Sequence, residues 1–167
     1  MRSLLEIYES INDDDEKITK RDEKMLFYQC VADALKKKLD IDSSAFPAGK
    51  DSDVLPFASI SDFEGERYRD VNLKMEKLIN DLTKEMRRHK IKLVYTTKTE
   101  DRAMGRQIFT EKYYNITFYH TIKRDFEVTF TLKNIFSAEY ISGPTDAILT
   151  CSSTVLYSPN NEIKDII

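Results

Sequence analysis

Apolar residues recur along this chain first with the period of a helix and then, past residue 90, with the period of a strand. In residues 16–40, Met25, Tyr28, Val31, Leu35 and Leu39 fall at steps of three and four, and Phe27, Cys30 and Ala34 broaden the stripe. That spacing puts them on one face of an amphipathic helix. Lys36, Lys37 and Lys38 close it, where cations suit the negative end of the helix dipole. A second stripe, Tyr68, Val71, Met75, Leu78, Leu82 and Met86, predicts another long helix within 64–90. Between them, residues 40–63 carry Pro47, Gly49 and Pro56 among many Ser and Asp, which predicts a long loop pinned by Phe46, Val54, Leu55, Phe57, Ile60 and Phe63. Asp13, Asp14, Asp15 and Glu16 read as a solvated helix cap.

From Ile91 the period becomes two. Ile91, Leu93 and Tyr95 share one side of a first strand, and TEDRAMGRQ at 99–107 reads as a charged loop. In the hairpin that follows, Tyr114, Ile116, Phe118, His120 and Ile122 face inward, as do Phe126, Val128, Phe130 and Leu132 in the returning strand. Opposed residues share a face, so this pattern favours a three-residue loop, Lys123-Arg124-Asp125, with Ile122 opposite Phe126 and His120 opposite Val128. Residues 147–157 add a strand with Ala147, Leu149, Cys151, Val155 and Tyr157 on one side.

Together these elements predict an α+β fold: two long amphipathic N-terminal helices packed on one face of a C-terminal, four- to five-stranded antiparallel meander. One domain covers 1–167, mainly helical over 1–90 with a long loop at 40–63, a sheet over 91–157 and a tail over 158–167. The helix at 65–89 also offers a stripe through which a homodimer can form.

Composition narrows the classes of function. With 41% apolar and 33% charged residues the chain belongs with globular proteins. No run of about 18 apolar residues is present to span a membrane, and Glu6 and Glu9 interrupt any secretory h-region, which points to the cytoplasm. Cys30 and Cys151 read as free, buried thiols. The net charge of −3 conceals an asymmetry: residues 1–83 are net −6, and residues 84–106 alone hold eight Lys and Arg against three acids.

No motif names a reaction. Two histidines and two cysteines without close spacing do not make a zinc site, four glycines with no phosphate-cradling loop make no nucleotide site, and no cofactor is expected. His120 is the one candidate general base, on an otherwise apolar face, and its competing role is that of a core histidine bonded to backbone or to a tyrosine hydroxyl. Two features point to binding instead. The outward hairpin face carries Thr117, Tyr119, Thr129 and Thr131 among other polar groups. The basic strip carries Arg87, Arg88, Lys98, Arg102 and Arg106, the last three on a loop bearing Gly105 that suits an acidic partner. The sequence therefore reads as a non-enzymatic protein-binding module of the inhibitor, immunity, antidefence or adaptor type. Its alternatives are an enzyme or ligand carrier with a pocket near His120, Tyr95 and Tyr114, and a weak nucleic-acid binder acting through residues 84–106.

Overall fold

A computed structural model describes residue 4 and residues 20–39, 55–105, 107–123, 125–140 and 147–158. The acidic run at 13–16, the segment 40–54, Arg106, Arg124, the Gly143-Pro144 connection and residues 159–167 lie outside the described residues. The elements are α1 (Lys20–Leu39), β1 (Leu55–Ile60), α2 (Tyr68–Arg87), β2 (Ile91–Met104), β3 (Gln107–His120), β4 (Glu127–Tyr140) and β5 (Ala147–Ser158). The strands form one antiparallel sheet in the order β1-β5-β4-β3-β2, so the layout is α+β with five strands.

Both helices meet the same face of the sheet, the one carrying Tyr114, Ile116, Phe118 and His120 from β3 and Val128, Phe130 and Leu132 from β4. Phe27 of α1 stacks edge-on against His120, and Tyr68 of α2 against Phe136. The α2 stripe is spent in this way: Val71, Met75, Ile79, Leu82 and Met86 are buried in the core, with Tyr68 and Leu78 packed at its edge. On α1, Phe27, Tyr28, Val31, Leu35 and Leu39 are buried, whereas Met25 stands at the solvent side. Leu4 completes the core and is tied by its main-chain N–H to Nδ1 of His89, 3.0 Å away.

Four sequence expectations need correction. Residues 55–60, expected within the long loop, form β1, which pairs with β5 at the sheet edge; Pro56 is tolerated there because an edge strand has one side with no ladder to serve. The charged segment 99–104 is strand and not loop, since β2 and β3 pair continuously from Ile91↔His120 to Met104↔Gln107. The turn between them is two residues long, and Gly105 takes the positive φ of 63° that such turns demand. The β3–β4 register is Phe118↔Val128 and Ile116↔Phe130, two residues away from the predicted one, so every side chain keeps its face but the loop lengthens and Ile122 is exposed. In β5 a bulge at Ser152 reverses the alternation: Cys151 faces Phe136 in the core, while beyond it Thr154 and Leu156 turn inward and Val155 and Tyr157 outward.

The α2–β2 connection holds Lys90 at φ 60°, a left-handed conformation that costs a residue with a Cβ about 1–2 kcal/mol. It persists because Lys90 N–H donates to the Arg87 carbonyl and its own carbonyl accepts both the N–H and the hydroxyl of Thr121. Lys90→Gly relieves this strain at some cost in unfolded-chain entropy, and is expected to raise stability by about 0.5–1 kcal/mol in a urea titration. Destabilisation instead would mean that the lysine side chain contributes more than its backbone costs.

Candidate functional site

The loop between β3 and β4 is built around His120. Its ring is 2% exposed and lies edge-on to Phe27 and Phe126, at centroid distances of 6.3 and 6.4 Å. Nδ1 accepts the main-chain N–H groups of Ile122 (3.2 Å) and Lys123 (3.0 Å), so the imidazole is neutral and carries its proton on Nε2. The His120 N–H donates to the Phe126 carbonyl, and Phe126 N–H to the Lys123 carbonyl, which closes the turn. The side chain thus does here what an aspartate does in an Asx turn, satisfying donors two and three residues on. Burial, and then the Lys123 cation, hold its pKa below the ordinary 6.5, with Glu23 opposing.

Two ion pairs fasten the same loop to α1: Lys123 to Glu23 at 3.3 Å and Asp125 to Lys20 at 2.5 Å. A cavity of about 310 Å³ opens between these four residues and Phe126. The Asp125 carboxyl is held below its usual range, chiefly by its hydrogen bond from Lys20.

Tyr95 and Tyr114, the companions expected for His120 in a pocket, sit elsewhere. Tyr114 is buried and donates its hydroxyl to Asn72 Oδ1 of α2 (3.1 Å), beside Lys112, whose ammonium lies over the Tyr68 and Tyr114 rings and donates to the same oxygen. Burial pushes the Tyr114 hydroxyl pKa up. Tyr95 is 44% exposed on β2. Neither thiol is an activated nucleophile: burial pushes the Cys30 pKa up to about 12, aided by Asp33 and Glu85, and burial also raises that of Cys151. Cys151 instead joins a buried polar chain with Thr154 and Asn134, whose Nδ2 is left without a hydrogen bond. Among the described residues no group of three or more His, Cys, Asp or Glu is placed to hold a metal ion.

The basic strip is not one patch. Arg87 and Arg88 stand at the end of α2, where Arg88 lies 3.5 Å from Glu85; Arg87 lines a cavity of about 320 Å³ with Lys90, Ile91, Lys92 and Leu93. Lys98 is seven residues beyond Ile91 on an extended strand, roughly 23 Å away at about 3.3 Å per residue, and Arg102 is farther still. Both have local partners, Lys98 on Glu100 (2.6 Å) and Arg102 on Glu111 (3.4 Å), and the buried Glu111 also accepts from the Tyr113 hydroxyl. Because 98–104 is strand, these groups stand on the outer face of the hairpin and not on a loop. Arg106 lies outside the described residues.

The face turned away from the helices holds Thr117, Tyr119, Thr129 and Thr131, all half-buried, flanked by Lys92, Lys98 and Arg102 of β2 and Lys133 of β4. Thr117 and Thr129 bond each other (2.9 Å), and Thr131 donates to Asn115 Oδ1 (2.8 Å). The cross-strand ladder therefore satisfies its own hydroxyls, leaving Tyr119, Tyr157, Lys92 and Lys133 as the groups able to reach a partner. The alternation of β3 and β4 reveals this face in the sequence, but the contribution of β2 is hidden there by its charged composition.

No helix among the described residues is long and apolar enough to cross a membrane. Compared with models of protein families, with curated proteins and with solved structures, the chain matches none.

Proposed function

We propose that the protein is a non-enzymatic module that binds another protein through the outer face of its sheet. The observation that carries this reading is the pairing of an uncommitted sheet face with committed chemical groups. Among the described residues both helices rest on the inner face, while His120 spends Nδ1 on the loop backbone and both thiols are raised by burial. Thr117, Tyr119, Thr129 and Thr131 are the centre of the surface, with Lys92, Lys98 and Arg102 along one side; Glu100 and Glu111 offset Lys98 and Arg102, so Lys92 is the cation best placed to meet an acidic partner. Arg87 and Arg88 lie beyond Lys92 and would extend the positive field toward the helix end. Two free cysteines fit a reducing, cytoplasmic setting. An inhibitor, immunity, antidefence or adaptor role each requires only such a surface.

The test uses immobilised protein and lysate from its own source, with identification of the retained partner followed by calorimetry. Tyr119→Ala and Lys92→Glu are expected to weaken that partner at least tenfold, whereas Lys77→Glu on the exposed side of α2 leaves it unchanged. Equal affinity across all three variants would defeat the assignment of the face.

A further inference from the structure

We propose that β2 pairs edge to edge with β2 of a second copy of the chain, antiparallel about a two-fold axis at Thr99, joining two five-stranded sheets into one of ten. This goes beyond the outer-face reading and does not depend on it. β2 is fourteen residues long, stands at the end of the sheet order, and pairs with β3 along its full length without a bulge. The other edge strand, β1, has six residues and contains Pro56.

The ladder shows which groups the edge offers. Thr121 N–H donates to Lys90 O, which marks this pair as the hydrogen-bonded kind, and such pairs alternate along an antiparallel ladder. Lys92, Val94, Thr96, Lys98, Glu100 and Arg102 thus turn their main-chain groups toward β3. Leu93, Tyr95, Thr97, Thr99, Asp101 and Ala103 turn theirs to the edge that no described strand pairs with, and the side chains from Val94 to Thr99 are all exposed. A lysine on an edge strand ordinarily guards against pairing. Here the order of charges lets the strand complement itself.

With the axis at Thr99, Lys98 faces Glu100 of the other copy and Glu100 faces its Lys98. Arg102 then faces Thr96, and Asp101 faces Thr97. An axis at Lys98 or at Glu100 would set like charges face to face, and one at Thr97 would set Arg102 against Lys92. An axis at Thr96 also pairs opposite charges, Glu100 with Lys92, but it lays Asp101 against the buried Ile91, and one at Asp101 sets that acid against itself. Opposed opposite charges stabilise a cross-strand pair and like ones destabilise it, so among these registers the one at Thr99 is favoured.

Sedimentation equilibrium at about 1–100 µM is the direct measurement. Wild type is expected to dimerise in this range, and Lys98→Glu and Glu100→Lys alone are each expected to weaken the dimer at least tenfold. Mixing the two variants restores association, because the introduced acid of one copy then faces the introduced base of the other, while the native Lys98 of one faces the native Glu100 of the other. Thr99→Pro is expected to be monomeric; its lost N–H points away from β3 and serves no bond in the ladder among the described residues, and the charge variants carry the test if it misfolds. A wild type monomeric throughout, or a dimer indifferent to both charge reversals, overturns the proposal. Partner affinity for the Tyr119 and Lys92 variants is measured at concentrations where wild type is monomeric, so that failure of the edge pairing and failure of the outer-face reading are read separately.

Discussion

His120→Ala is expected to lower stability by about 2–4 kcal/mol, a large share of the roughly 5–15 kcal/mol that holds a domain of this size together. Two main-chain donors, Ile122 N–H and Lys123 N–H, lose their acceptor, and each hydrogen bond is worth about 0.5–1.5 kcal/mol. The ring also fills space between Phe27 and Phe126, so its removal adds a cavity cost. His120→Asn retains an acceptor near Nδ1 and should recover part of the loss. The pH dependence follows from the same geometry. The neutral imidazole is favoured in the folded chain, where its pKa lies below the ordinary 6.5, so unfolding takes up a proton. Its contribution is complete above about pH 6.5 and is lost as pH falls from there through the folded-state pKa. Urea titrations between pH 5 and 7.5 should show wild type losing stability toward acid more steeply than His120→Asn, whose difference from wild type isolates this group from His89. Parallel pH profiles, or a cost below about 1 kcal/mol for the alanine variant, would contradict the loop-closing role.

How far the sequence can be read depends on how much each strand buries. In β3 and β4 one face is covered by helices, so Tyr114, Ile116 and Phe118 and then Val128, Phe130 and Leu132 are apolar, and their alternation is visible. The same apolar logic misplaces Ile122, because the strand stops where the His120 side chain captures the N–H groups two and three residues on, an event with no apolar signature. The far half of β2 escapes detection for the opposite reason. Residues 96–103 reach beyond the helix layer with nearly every side chain in water, and a strand with neither face buried has no alternation to detect. β1 is hidden by Pro56, which argues against a central strand yet is harmless at an edge. In β5 one extra residue, Ser152, reverses the sides of Val155 and Tyr157, since a period of two carries no memory across a bulge. The candidate surface suffers accordingly: its threonines are legible, but the basic strip reads as contiguous only if residues near in sequence share a loop, whereas a strand spreads them apart.

Phe27→Ala should cost about 3–5 kcal/mol, the range for deleting a fully buried phenylalanine. Phe27 is the contact through which α1 reaches the β3–β4 corner: its ring meets Tyr28 at 5.7 Å, Phe126 at 6.0 Å and His120 at 6.3 Å. The Lys20–Asp125 and Lys123–Glu23 pairs also link α1 to this corner, and ion pairs this open to solvent contribute little, because water screens them and holding two long side chains costs entropy. They cannot compensate for the lost ring. Removing it also opens the apolar surroundings that hold His120 neutral, so the two residues should not behave independently. In a double-mutant cycle, Phe27→Ala and His120→Ala together are expected to cost less than their separate effects combined, with a coupling of about 0.5–3 kcal/mol. Denaturant titration gives these energies, and amide exchange at Ile122 and Lys123 gives the local consequence, faster exchange in the Phe27 variant even where the chain remains folded. Additive costs, with those two amides still protected, would mean that the helix and the loop are stabilised separately and that the imidazole is positioned by the strand alone.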